Sequence, residues 1–356
     1  MNELLDVVRE HKAKYPLMQI KDAVKLIYQS EFGPGHFVEC PEQSLLRLLK
    51  EYREVAVSPG AKENKKLIEN IGNGLCRCYL QELSETELEV LNRIFVYSAN
   101  SRRGSKESFE QKLQDAKSLF KEAEFSFSEE EYDNYVKELS RAGYPPVSHS
   151  ETYRKAYRPA YRVIEEKYAP YIELIATIEE RRKKQENLII GIDGNAAAGK
   201  TTLAQCLVEL YDCEVIHMDE FFLPKELRTF SRMKEAGGNV HYERFAQEVV
   251  EGIRSREAFG YQVFSCSEMD YTGVKSISNR KMLVIEGSYA LREDFREVYD
   301  YKIFMEISEE QQKQRILKRN GVQMYEMFRD KWIPMENHYF EAYKIKAISD
   351  YCYLWK

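Results

Sequence analysis

The chain has 356 residues, of which 43% are hydrophobic and 31% are charged, and its formal net charge is −6. This composition is typical of a soluble globular protein, and the length predicts two domains. The acidic balance lacks the overall basic character of many nucleic-acid-binding proteins, so we expect no nucleic-acid partner. No apolar run reaches the ~18 residues that a membrane span requires. The 7 cysteines form no C-x-x-C pair. We therefore expect a cytoplasmic protein with neither membrane association nor signal peptide.

Helical periodicity dominates the first half of the chain, residues 1–185. Apolar residues recur at three-to-four spacing, as in Phe109, Leu113, Ala116 and Phe120. No convincing pair of alternating strands is evident. Glycine- and proline-containing segments predict loops between the helices, at 33–35, 58–60, 72–74 and 143–146. We therefore predict an all-α accessory domain over residues 1–185, ending in a charged connector helix over 161–185 that Pro170 kinks or breaks.

Three arginines stand out near the end of this half. Arg154, Arg158 and Arg162 lie at i, i+4 and i+8 with tyrosines between them, in a helix that a capping box at 148–151 would open. Such a row could bind a phosphate or another anion. The alternative is a charged surface face that pairs with acids elsewhere, and Pro159 should bend the helix there.

From residue 186 onwards the pattern changes to short, continuous apolar runs. Four runs predict strands buried on both faces, at 187–193, 214–218, 281–285 and 301–307. Helical patterns separate them near 200–211, 241–256 and 309–319. Strands that alternate with helices predict a doubly wound α/β domain with a mainly parallel sheet over residues 186–356.

A phosphate-binding motif follows the first of these strands. Residues 194–201 match G-x-x-x-x-G-K-[ST] in full, the Walker A motif of P-loop proteins. Glycines let the backbone wrap a phosphate, and the following helix adds the positive end of its dipole. A plain strand–turn–helix is the alternative. We predict that ATP is bound by Gly194, Asn195, Ala196, Ala197, Ala198, Gly199, Lys200, Thr201 and Thr202. Lys200 would neutralise the β- and γ-phosphates, and the Thr201 hydroxyl would bind Mg²⁺.

Two carboxylates and two arginines follow the later strands. Asp219 could accept the proton of an attacking hydroxyl, hold magnesium, or simply cap a helix. Glu286 ends an apolar run where a Walker-B acid belongs. Arg315 and Arg319 share one helix face, so they could close over the transferring phosphate or form a solvated surface.

Together these segments resemble the uridine kinase / phosphoribulokinase family of P-loop kinases. The resemblance covers about residues 187–340 and rests on the phosphate-binding motif, Asp219-Glu-Phe-Phe, Glu286-Gly-Ser-Tyr and the helix with the two arginines. It implies that Asp219 is the base for the acceptor hydroxyl, while Glu286 and Thr201 hold Mg²⁺. Phe222 would stand against the acceptor's base. The helical half is similar only to uncharacterised domains joined to such kinases.

This sequence departs from the uridine kinases of the family at the acceptor site. The Asp that grips the ribose there is absent from the comparable segment, 238–245. The Tyr and the His that frame uracil fall at Phe264 and Met269. Asn239, His241 and Tyr289 are then candidates to bind the substrate.

The sequence thus predicts a Mg·ATP-dependent kinase that phosphorylates an alcohol hydroxyl on a small molecule, with a nucleoside favoured. A vitamin precursor or a sugar is the alternative acceptor, and a regulatory ATPase is the alternative of another class. A homo-oligomer is compatible with the sequence.

Overall fold

The computed structural model describes residues 3–56, 67–101, 104–121, 125, 127–278 and 281–355. The chain divides into two compact units, Met1–Ala176 and Thr177–Lys356. This division falls inside one helix, Ile172–Arg182, and earlier in the chain than residue 185. The loop predicted at 58–60 lies outside the described residues. Among those described, no helix is long and apolar enough to cross a bilayer.

The first unit is mostly helical. Its core contains the apolar faces of several helices, including Val24 and Ile27 and the predicted face of Phe109 and Leu113, all buried. The helices are α1 (Glu3–Lys14), α2 (Ile20–Phe32), α3 (Pro41–Ala56), α4 (Glu85–Ser101), α5 (Lys106–Ala116), α6 (Glu129–Arg141), α7 (Glu151–Tyr157) and α8 (Ile172–Arg182).

The prediction of an all-α first domain is wrong, because this unit also contains a three-stranded antiparallel sheet. Its strands are β1 (Ile68–Gly72), β2 (Leu75–Tyr79) and β3 (Tyr161–Glu165), with β2 in the centre. The predicted loop at 72–74 is the turn of the β1–β2 hairpin, and all three of its residues have positive φ. All five residues of β2 are buried, so the strand shows no polar–apolar alternation.

The helix expected over 161–185 is also replaced at its start by β3. Arg158 adopts a left-handed conformation (φ 43°) that ends α7, and Pro159 follows it. Because proline lacks an N–H and the chain is extended after it, residues from Tyr161 join the sheet. A 3₁₀ turn at Glu166–Tyr171 contains Pro170 and leads into α8. The predicted helical row of arginines therefore does not exist.

The second unit is an α/β domain built on a five-stranded, all-parallel sheet. The strands are β4 (Leu188–Gly194), β5 (Cys213–His217), β8 (Met282–Glu286), β9 (Tyr301–Glu306) and β10 (Tyr351–Leu354). Their order is β10–β9–β4–β8–β5. The first four match the predicted runs, but β5 lies at the edge of the sheet and is mostly half-buried, not buried on both faces as predicted. The short, half-exposed β10 was not predicted, since its alternate residues face solvent.

Helices and one hairpin complete the second unit. The hairpin, β6 (Phe259–Ser265) with β7 (Asp270–Ile277), is antiparallel and largely exposed along β7. The helices are α9 (Lys200–Leu210), α10 (Phe230–Lys234), α11 (Tyr242–Phe245), α12 (Glu251–Ser255), α13 (Glu309–Met327), α14 (Ile333–Ala342) and α15 (Ile345–Ile348). Gly321 breaks the helical geometry inside α13.

Strand order decides where chemistry can occur in this unit. From β4 the chain runs to β5 at one edge, back to β8 beside β4, and then to β9 on the other side of β4. In such sheets ligands bind at the carboxyl ends of the strands, where successive connections leave in opposite directions. The phosphate-binding motif, Asp219 and Glu286 all follow or end strands at this edge.

Candidate active site

The β4–α9 loop, residues 194–199, has the backbone geometry of a phosphate cradle. Gly194 (φ 140°) and Gly199 (φ 89°) lie in regions that side chains disfavour, and Ala197 is also left-handed (φ 60°). A Cβ on Gly194 would lie 2.1 Å from the carbonyl oxygen of Met305 on β9. Glycine at 194 is thus required both by its φ and by the close approach of β9.

Lys200 begins α9 and folds back over this loop. Its Nζ donates to the carbonyl oxygens of Gly194 (2.7 Å) and Asn195 (2.9 Å) and lies 3.4 Å from Ser288 Oγ. The side chain is buried, so the positive charge is held at the loop, at the N-terminus of the helix. This is the arrangement that attracts phosphate groups.

Thr201 and Glu286 form the candidate magnesium site. Thr201 Oγ1 donates to Glu286 Oε1 at 2.9 Å, and His217 Nδ1 lies 2.6 Å from the same oxygen. This hydrogen bond raises the pKa of His217. Among the described residues no group of three or more His, Cys, Asp or Glu could hold a metal alone. One hydroxyl and one carboxylate nevertheless fit Mg²⁺ that arrives with nucleotide phosphates, since Mg²⁺ keeps several waters and few protein ligands.

Asp219 lies just after β5, in a 3₁₀ turn over Met218–Phe221. Its side chain is exposed, yet desolvation by the nearby protein atoms, together with the charge of Glu286, raises the pKa of the carboxyl. Lys200, His217 and Arg319 act on the same carboxylate with the opposite sign. The neighbouring Glu220 points elsewhere, since it binds Tyr261 and Lys275 of the hairpin. The structure therefore brings Asp219 into electrostatic contact with the phosphate-binding residues.

Arg315 and Arg319 lie on α13, as predicted. Arg315 Nη1 donates to the carbonyl of Ala197 in the loop (3.2 Å), and its guanidinium lies 3.9 Å from the ring centroid of Trp355. Arg319 is exposed and binds the side chain of Asn320. Arg315 thus contacts the loop directly, whereas Arg319 reaches the site through its charge on Asp219.

The four candidate acceptor-binding residues occupy different environments. Phe222 pairs with Val240 in an isolated bridge beside Asp219. Asn239 has a buried Oδ1 for which the described residues offer no hydrogen-bond partner. Tyr289 is buried against Tyr339. His241 caps α11 by accepting from the Arg244 N–H, so its Nδ1 is already used.

Residues at the hairpin tip lie near Asp219 as well. The charges of Asp219 and Arg228 act on the Cys266 thiol, and Met269 Sδ contacts the Arg228 guanidinium. Phe264 is only 2% exposed and packs on Tyr271, so its ring faces the protein interior. Of the two positions expected to frame a base, Met269 is the accessible one (38% exposed).

Two buried acids that sequence reasoning missed hold the loops of the site. Asp193 is fully buried, and burial raises its pKa. It accepts hydrogen bonds from the N–H groups of Gly194 and Leu291 and from the Tyr339 hydroxyl. Asp193 therefore ties the end of β4 to the segment after β8.

Glu336 on α14 is the second of these acids. It accepts from the Ala196 N–H (3.0 Å) and the Ser288 hydroxyl (2.8 Å), and burial raises its pKa. An isolated acid in a helix belongs to no motif. The only sequence signal for Asp193 was its place at the end of a buried strand.

Comparisons with family models and with curated proteins find no match for this chain. A structure from Bacillus stearothermophilus, named as a possible uridine kinase, covers 51% of this chain and 99% of its own, at 17% identity and a TM-score of 0.39. One from Silicibacter sp. TM1040, named as a fructose transport system kinase, covers 52% and 98%, at 20% identity and a TM-score of 0.38. Over about half of its length, this chain is thus similar to structures named as kinases.

Proposed function

We propose that the second unit transfers the γ-phosphate of ATP to a hydroxyl group of a small-molecule acceptor. The observation that carries the proposal is the position of Asp219. The Asp219 carboxylate, whose pKa is raised, lies at the carboxyl ends of the strands, where the charges of Lys200 and Glu286 both act on it. Phosphoryl transfer to an alcohol needs a cradle for the nucleotide and a base for the hydroxyl.

The loop supplies the cradle. The N-terminus of α9 and the buried Lys200 concentrate positive charge where the nucleotide phosphates would bind. Lys200 already donates to two loop carbonyls, and charged phosphate oxygens are stronger acceptors for the same ammonium group. Arg315 adds a guanidinium beside Ala197 on the other side of the loop.

Thr201 and Glu286 would hold Mg²⁺, which neutralises charge on the phosphates. The hydrogen bond from His217 fixes the orientation of the Glu286 carboxylate. This partner leaves the other carboxylate oxygen, Oε2, for metal or a bound water. Outer-shell bonds of this kind are common at metal-binding carboxylates.

Asp219 would accept the proton of the attacking hydroxyl. Its raised pKa makes it a better base than an ordinary aspartate, because proton transfer is most effective when the pKa approaches the working pH. Arg319, whose charge acts on Asp219, would keep the carboxylate ionised before the proton arrives.

The acceptor would bind beside Asp219, between the 221–223 segment and the hairpin tip. The Asn239 amide would bind a hydroxyl of the acceptor if its side chain turned towards the site, since its buried Oδ1 has no partner among the described residues and this costs free energy. Phe222 and Met269 offer apolar surface to the rest of the molecule. A nucleoside is favoured by the resemblance, and a sugar or a vitamin precursor has the hydroxyls that the same residues could bind.

A panel of nucleosides, sugars and vitamin alcohols with γ-labelled ATP tests the proposal. We expect label in one class of acceptor. Asn239→Ala should raise the KM of that acceptor about ten-fold and leave the KM for ATP unchanged. A regulatory ATPase, the second candidate, would release labelled phosphate at the same rate with or without every acceptor.

A further inference from the structure

A cleft of about 830 Å³ opens in the first unit, away from the residues discussed above. Its walls come from α2, from the start of the segment after it, from α3 and from the chain around β3. A volume of this size is typical of sites for small molecules and far exceeds that of a single ion.

Basic side chains converge on this cleft from four separate elements. The predicted helical row of arginines does not exist, but all three of its members line the cleft with two further cations. The five are Lys25, Arg47, Arg154, Arg158 and Arg162. Three acids, Glu39, Glu51 and Glu54, also line it, so the basic groups are in excess.

Among the described residues, most of this positive charge has no counter-ion. Arg162 pairs with Glu51 at 2.8 Å. Within the described part of the chain, by contrast, no carboxylate lies within ion-pair distance of the guanidinium groups of Arg47, Arg154 or Arg158. The alternative of a surface row paired with acids therefore fails for two of the three predicted arginines.

The deeper wall of the cleft is positive as well. Lys25 Nζ donates to the carbonyl of Val147 at 2.9 Å. Burial, followed by the charges of Arg77 and Arg154, lowers the pKa of Lys25 to about 8. A lysine whose charge is disfavoured by neighbouring arginines marks a place where an anion would be stabilised.

A buried hydrogen-bond network holds this wall in place. His149 Nδ1 lies 2.9 Å from Asp22 Oδ1, and His149 Nε2 lies 2.6 Å from the Tyr161 hydroxyl. Burial lowers the pKa of His149 to about 4, so the ring is neutral and accepts from Tyr161. Behind them, Arg77 is fully buried and bonds to Gln29 through Nε and Nη2. The wall is thus preorganised before a ligand arrives.

An exposed aromatic ring stands at the same cleft. Phe37 lines it and is 67% exposed, which is unusual for a phenylalanine. A planar group of a ligand could stack on such a ring. The same cleft therefore offers basic side chains for an anion and an apolar ring for a planar group.

We propose that this cleft binds a phosphorylated small molecule, with the phosphate on Arg47, Arg154 and Arg158 and a planar group against Phe37. Guanidinium groups match phosphate oxygens with two parallel hydrogen bonds, and a phosphate monoester carries nearly two negative charges at neutral pH. The excess of unpaired arginines favours such a dianion over a single carboxylate. The proposal does not depend on the kinase function of the second unit.

Titration calorimetry of the full chain with inorganic pyrophosphate tests the site. The phosphate-binding loop would also bind this probe under the proposed function, so each variant is measured again with Lys200→Ala added. Arg154→Glu and Arg158→Glu should each weaken the site that remains by about ten- to 100-fold. Lys155→Glu is the matched control, because it makes the same kind of charge change on the same helix, is 83% exposed and lies outside the cleft.

Three results would overturn the proposal. The first is unchanged pyrophosphate binding in Arg154→Glu and Arg158→Glu, with circular dichroism showing an intact fold. The second is an equal loss in Lys155→Glu, which would indicate only general electrostatics. The third is citrate binding as tightly as pyrophosphate, since the site would then recognise carboxylates.

Phe37→Ala should weaken the binding of AMP about ten-fold and leave the binding of pyrophosphate unchanged.

Discussion

Asp219 and Glu286 end or follow the neighbouring strands β5 and β8, yet the structure gives them different surroundings. Glu286 is bonded to Thr201 and His217, whereas Asp219 interacts with charges around it and opens to solvent. We expect Asp219→Asn to spare ATP binding and to lower kcat by ~10²–10⁴, the usual contribution of a general base. Glu286→Gln should mainly raise the Mg²⁺ concentration that gives half-maximal rate.

A magnesium titration of both variants checks these roles. Additional metal partly compensates for a weakened ligand set, but it cannot replace a base. If excess Mg²⁺ restored Asp219→Asn and not Glu286→Gln, the two roles would be reversed.

Among residues 194–200, all of which the structure describes, Lys200 is the one with a charged side chain, and its Nζ donates to the carbonyl of Gly194. Lys200→Ala should abolish turnover while the fold stays intact, because Glu336 still accepts from the Ala196 N–H and the Ser288 hydroxyl and so holds the loop. Activity assays and circular dichroism check this together. Normal turnover in a folded Lys200→Ala protein would exclude the loop from catalysis.

Gly194 is constrained by β9 as well as by its φ. Gly194→Ala should destabilise the protein by about 3 kcal/mol or more, since backbone strain and a steric overlap with Met305 add together. Gly321→Ala is the matched control: its φ is also positive (79°) but nothing lies within 4 Å, so only backbone strain of about 1–3 kcal/mol applies and the loss should be the smaller of the two. Urea denaturation measures both. Equal losses of stability in the two variants would mean that Met305 of β9 moves and relieves the overlap.

The residues that a motif requires could be predicted from the sequence, whereas those that support it could not. The loop glycines, Lys200 and Thr201 belong to a fixed motif, because few residue types can serve at each of these positions. Asp193 accepts a hydrogen bond from Tyr339, which lies 146 residues away in the sequence. Glu336 accepts one from Ala196, which lies 140 residues away. No local pattern records such pairings.

At the level of elements, burial decided which strands could be predicted. The parallel strands β4, β8 and β9 are continuous apolar runs, the pattern that sheets covered on both faces require. The first unit's β2 is equally buried, but it contains Arg77, whose charge is compensated by Glu69 and whose guanidinium also donates to the Gln29 amide oxygen. A buried arginine interrupts the apolar pattern, so the strand was not recognised.

The Asp22–His149–Tyr161 network joins α2, the segment before α7, and β3, so its protonation affects the stability of these elements. The pKa of His149 is about 4 in the folded chain and near 6.5 unfolded, so the unfolded state binds more protons between these values. Stability should therefore fall as the pH drops from 6.5 towards 4, by up to about 3 kcal/mol.

Denaturation at several pH values checks this, with His149→Gln as the comparison. The variant cannot titrate and should show a flatter profile between pH 6.5 and 4.5. Below pH 4.5 Asp22 and Glu69, whose pKa values are lowered, add a loss of the same sign in both proteins. Identical slopes above pH 4.5 would contradict this role of His149.

At the level of the whole molecule, the two units predict that the second can be separated from the first. A fragment starting at Thr177 should fold and bind ATP, because it keeps the Thr177–Tyr301 hydrogen bond (2.9 Å) and the Arg181 guanidinium over the Tyr301 ring. A fragment starting at residue 186 lacks both contacts and should have a lower Tm. Nucleotide binding and thermal unfolding compare them. An insoluble 177–356 fragment would show that the second unit does not fold independently of the first.

The destination of the γ-phosphate tests the central claim most directly. Wild-type protein and Asp219→Asn are incubated with γ-labelled ATP, Mg²⁺ and the acceptor found by the panel, and the label in acceptor and in free phosphate is measured over time. We expect wild type to place most label on the acceptor, and Asp219→Asn to lose this transfer by ~10²–10⁴ while still binding ATP. Label that appears only as free phosphate, at equal rates in both proteins, would contradict this expectation.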